Sequence, residues 1–136
     1  MDDRDLLKMA AKAANIKVRG FFEDEASLQI KPGPGLPPAK WNPLACDDDA
    51  FRLFVALEIK VMPYPIFATE KHSVIASRRW FAPPDDEENT YTGPEVVELY
   101  QGDPLAATRR AIVRAAAALA TAPAASPRVN RPLQAL

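Results

Sequence analysis

The chain has 136 residues, 48% hydrophobic and 26% charged, enough to build the core of one domain and too few for a second. Its 17 basic residues stand against 18 acidic ones, a net charge of −1, which excludes a global field that would draw in phosphate or anionic lipid. The lone Cys46 excludes an internal disulfide, and no apolar run reaches the roughly 18 residues of a membrane span.

The polar opening MDDRD lacks the charged-then-apolar order of a secretory signal, so the expected location is cytoplasmic, without membrane contact. From Asp2 to Ala14, Leu6, Met9, Ala10 and Ala13 fall on one stripe of a helix. Asp2, Asp3 and Asp5 sit at its positive end, Lys8 and Lys12 lie later, and Asn15 suits a left-handed stop. Ile16 to Phe22 and Ser27 to Ile30 read as a hairpin around an acidic turn. Lys31 to Lys40, with four prolines and two glycines in ten residues, reads as a stiff loop.

Trp41 is expected against the entrance of a middle helix that Asp47 or Asp48 caps and whose buried stripe is Ala50, Leu53, Phe54 and Leu57. Three carboxylates in a row, Asp47 to Asp49, do not have calcium-loop spacing, and no metal ligand is assigned. Cys46 reads as a core or loop residue rather than a nucleophile. Ile59 to Thr69 and Ser73 to Phe81 read as two strands; Pro63 and Pro65 each remove a ladder donor, so the first should be an edge strand or be bent near Tyr64. His72 is the single histidine, read as a turn residue. Pro83 to Asn89 is an acidic loop, and Glu95 to Tyr100 a last short strand.

Gly102 to Ala120 is the clearest helix, with Asp103 as cap and Pro104 at its first position. At 100° per residue its buried face is Leu105, Thr108, Ile112, Ala116 and Leu119. Arg110 and Arg114 fall opposite and should be solvated, whereas Arg109 lies within the apolar sector as a buried charge that needs a partner. Residues 1–121 are therefore expected to form a single α+β domain, a small antiparallel sheet packed against the N- and C-terminal helices with a third helix in the middle of the chain. Residues 122–136 make a flexible Pro/Ala-rich tail.

The run Gly102, Pro104, Leu105, Ala107, Arg110, Val113, with a first helix ending AANI, resembles phage-encoded proteins of the NinX-like family. WNPL and DDDAFRL resemble a segment of related tailed-phage and prophage proteins. The resemblance implies an accessory protein acting inside the bacterial host, and it brings no catalytic residues with it.

No glycine-rich phosphate loop, nucleophile with matched His, or metal spacing is present, so no catalytic residue and no cofactor is expected. An enzyme would have to assemble carboxylates from Asp47–Asp49 and Asp85–Glu88 by folding. The leading expectation is a non-enzymatic interaction module that binds a host or phage protein, or itself, with Trp41, Tyr64 and Trp80 as anchors. The alternative is nucleic-acid binding through Arg78, Arg79, Trp80, Arg110 and Arg114.

Overall fold

The computed structural model describes residues 2–22, 27–31, 34–64, 72–80 and 91–121. Helix α1 (Asp3–Ala13) starts where Asp2 accepts the Asp5 N–H at 2.8 Å and stops at Asn15, whose φ of 57° is the left-handed turn its sequence suggests. Its buried residues are Leu6, Leu7, Ala10 and Ala11, so the stripe is rotated from the expected Leu6, Met9, Ala10 and Ala13. The stripe has to face α3 (Pro104–Thr121), the helix against which α1 packs.

Strands β1 (Val18–Phe21) and β2 (Leu28–Ile30) pair antiparallel, as the hairpin reading requires. The chain then departs from expectation. Ala39 and Lys40, assigned to the proline loop, join Trp41 in β3 (Ala39–Trp41), which pairs with β2. A strand at a sheet edge forms one ladder only, so the prolines just before it remove no needed donor. Helix α2 (Asp47–Ala56) follows, burying Ala50 and Leu53.

Strands β4 (Lys60–Tyr64), β5 (Ser73–Trp80) and β6 (Tyr91–Leu99) make a second antiparallel meander, with Pro63 on an edge strand as its sequence demands. The fold is α+β, but it has two separate three-stranded sheets where a single one is expected. The last strand is longer than Glu95–Tyr100, because Tyr91 and Thr92 pair with Trp80 and Arg79 beyond a register shift. The acidic loop and the C-terminal tail lie outside the described residues.

Helix α3 is the hub, packed against α1, α2, β5 and β6. The Ala106 N–H donates to Asp103 Oδ1 at 3.0 Å, confirming the expected cap. Five of its seven buried residues are alanine. Such small side chains let neighbouring backbones approach closely, and the buried face is broader than expected: Ile112 and Ala116 are inside, but Leu105 is 62% exposed.

Candidate functional site

Register fixes the two faces of the second sheet, because directly paired residues share a face and neighbours along a strand alternate. One face carries Val61, Ala76 and Val96 in one row and Pro63, Val74 and Glu98 in the next. Val74 and Ala76 are fully buried and Val96 nearly so, and Glu98 reaches Arg114 of α3. This is the core face.

The opposite face carries Met62, Ile75 and Val97 across its middle row, with Leu99 beside Ser73 in the next. Met62 is 56% exposed, Val97 51% and Leu99 44%, while Ile75 is half-buried between them. Lys60 and Glu95 stand at opposite edges of the row that closes one end of this apolar strip. A sheet with one face on the core ordinarily turns polar residues to water, so three large apolar residues here form an uncommon surface.

The residues that the sequence singles out are distributed differently. Trp41 is 5% exposed and belongs to the core, which removes it as an exposed anchor. The WNPL segment that it opens is structural throughout. Asn42 Oδ1 accepts the Leu44 N–H at 3.1 Å and so closes an Asx turn, and Pro43 is fully buried. The side chains of Tyr64, Arg79 and Trp80 lie outside the described residues. Arg78 is half-buried at the register shift of β5, with its Nε buried and unpaired, so it is not the open end of a basic strand.

The three arginines of α3 are each tied to a different element. Arg109, the expected buried charge, has a side chain only 19% exposed; its Nε donates to the Leu44 carbonyl at 2.8 Å and its Nη1 to Asp47 at 2.7 Å. Arg110 pairs with Asp3 of α1 at 3.1 Å, and Arg114 pairs with Glu98 of β6. These last two side chains are 41% and 42% exposed, so the arginines expected to be solvated opposite the core are only partly so and are held in ion pairs.

The acidic run before α2 is equally committed. Asp47 meets Arg109, Asp48 meets Arg52 at 3.4 Å, and Asp49 accepts the Asn42 N–H at 2.9 Å. No side chain caps the helix: the N-cap is Cys46, in place of the expected Asp47 or Asp48, which fall inside the first turn and pair with Arg109 and Arg52. Among the described residues, no group of three or more His, Cys, Asp or Glu side chains could hold a metal ion. Asp85 to Glu88 lie outside them. His72 is exposed, with its ring 6.1 Å from Tyr100 and no nucleophile beside it among the contacts described. No helix among the described residues is long and apolar enough to cross a membrane.

Sequence reasoning missed the Met62, Val97 and Leu99 surface. Its signal was the lack of clean alternation in β4 and β6, where apolar residues stand on both faces. No family model, curated protein or solved structure matches the chain.

Proposed function

We propose that the protein is a non-enzymatic interaction module, a phage or prophage accessory protein that binds a partner protein or a second copy of itself through the outer face of β4, β5 and β6. The observation that supports this reading is the exposed strip of Met62, Val97 and Leu99, backed by half-buried Ile75. Covering these side chains removes apolar area from water, which contributes affinity against the cost of ordering them, and the sheet beneath them is already fixed. The phage setting rests on the resemblance of the Gly102–Val113 run and of WNPL to such proteins. The carboxylates that an enzyme would use near α2 are occupied by Arg109, Arg52 and the Asn42 N–H, which favours binding over catalysis.

The test is the double substitution Met62→Ser with Val97→Asp. Both positions are more than half exposed, so stability should change by less than about 0.5 kcal/mol. Sedimentation velocity over a concentration series reads self-association, and capture from a lysogenic host with native and substituted baits reads partners. The reading requires an association that the native protein shows and the substituted one loses. Identical behaviour of the two proteins overturns it.

A further inference from the structure

Two classes stand out among the cations of the described residues. Arg52, Arg109, Arg110 and Arg114 each face a carboxylate. Arg4, Lys8, Lys12, Lys17, Arg19 and Lys31 are all exposed, and none of them is in an ion pair. The second class is gathered in one part of the fold. Arg4, Lys8 and Lys12 repeat every fourth residue along α1, a rise of about 6 Å per step. The Arg4 guanidinium lies 4.8 Å and the Lys8 ammonium 5.2 Å from the centre of the Phe21 ring, so this stripe runs along β1. Lys8 and Lys12 then border an open groove of about 420 Å³ whose other walls are Asn15, Ile16 and Val18. Lys17 lies between the last two, and the Lys31 N–H donates to the Lys17 carbonyl at 3.3 Å, bringing a further cation to the same edge.

We propose that this stripe is a binding site for the phosphate backbone of duplex nucleic acid, engaged without sequence preference. A row of ammonium and guanidinium groups at regular spacing suits a polymer whose negative charges also repeat, since several can be met at once. Each contact releases a condensed counterion, which is why unpaired surface lysines give affinity here and would give little against a single carboxylate. A bilayer fits less well: the apolar residues of α1, Leu6, Leu7, Ala10 and Ala11, are buried in the fold and leave no apolar face to insert. Stacking of unpaired bases is also disfavoured, because Arg4 and Lys8 already flank the Phe21 ring, and this selects duplex over single strand. The net charge of −1 keeps the attraction local to this edge.

Fluorescence anisotropy of a labelled 20-base-pair duplex of random sequence, titrated with the full chain from 50 to 200 mM salt, tests the site. With about four phosphates engaged, affinity should fall about 150-fold over that range, a log–log slope near −3.6. Lys8→Ala with Lys12→Ala should shrink the slope by about 1.8 and leave the circular dichroism spectrum unchanged, and Lys8→Arg with Lys12→Arg should restore it. Absence of binding at 50 mM salt overturns the proposal, as does a slope that the alanine pair leaves intact. Tighter binding to phosphatidylserine vesicles than to the duplex, lost in the same alanine pair, also overturns it by moving the ligand to a membrane surface. The Met62→Ser, Val97→Asp protein should bind the duplex like the native chain.

Discussion

Helices α1 and α3 pack on each other and each carries three cations, yet the two sets are used in opposite ways. On α3, Arg109 reaches α2 through Asp47, Arg110 reaches α1 through Asp3, and Arg114 reaches β6 through Glu98. On α1, Arg4, Lys8 and Lys12 form no ion pair among the described residues, and two of them rest over an aromatic ring. The difference follows from what lies beneath each helix. The buried face of α3 is mostly alanine, which supplies little apolar area per residue, so planar guanidinium forks at its margins fix it to three neighbours. Helix α1 buries two leucines and is held by them, which leaves its cations free for solvent or a ligand.

The largest expected effect tests how α1 is held. Leu7 is fully buried, and Leu7→Ala should cost about 3 kcal/mol, a fall in Tm of roughly 10 °C, followed by calorimetry or urea unfolding. A loss below about 1 kcal/mol would mean that α1 docks by polar contacts after all, and the contrast with α3 would collapse. Next comes Arg109→Ala, which should cost about 2 kcal/mol, because it leaves the Leu44 carbonyl and the Asp47 carboxylate without their charged donor. Asp47 is 67% exposed, so water offsets part of that loss. Arg109→Lys should recover less than half of it, since one ammonium cannot serve both acceptors with the geometry of a fork.

Arg109 also shows what the sequence discloses. Its place in the apolar sector of a regular helix required a partner, and that requirement came from 3.6-residue geometry alone. The identity of the partner did not, for Asp47 lies 62 residues away and is brought near by the Asx turn at Asn42 and the buried Pro43. The same split runs through the fold. Local chemistry set the caps at Asp2 and Asp103 and the stop at Asn15, all decided within a few residues. The α2 cap was illegible, because the helix already begins at Asp47, so that the expected caps Asp47 and Asp48 fall inside it, and Asp47 is claimed by Arg109, 62 residues away. Leu105 was misplaced because a run of alanines has too little hydrophobic contrast to fix the phase of a helix. Sheet partition was hidden as well: β3 has three residues and becomes a strand only by pairing with β2. For the outer sheet face, periodicity gave Met62 and Val97 no direction, and only the register puts them in one row.

The smallest expected effect bears on the contrast most directly. Lys8→Ala with Lys12→Ala should change stability by less than about 0.5 kcal/mol, because both side chains are exposed and alanine is the better helix former. Two small terms oppose each other: the gain in propensity, and the loss at Lys12 of a cation in the last turn, worth a few tenths of a kcal/mol against the helix dipole. Lys8 adds only a partly exposed contact with Phe21, which Arg4 retains on its own. A neutral result in urea unfolding together with a reduced salt slope on duplex would assign these lysines to binding alone. A loss of 2 kcal/mol, as large as that of Arg109→Ala, would make them clamps of the same kind as the arginines of α3, and the two helices would no longer differ in how they use charge.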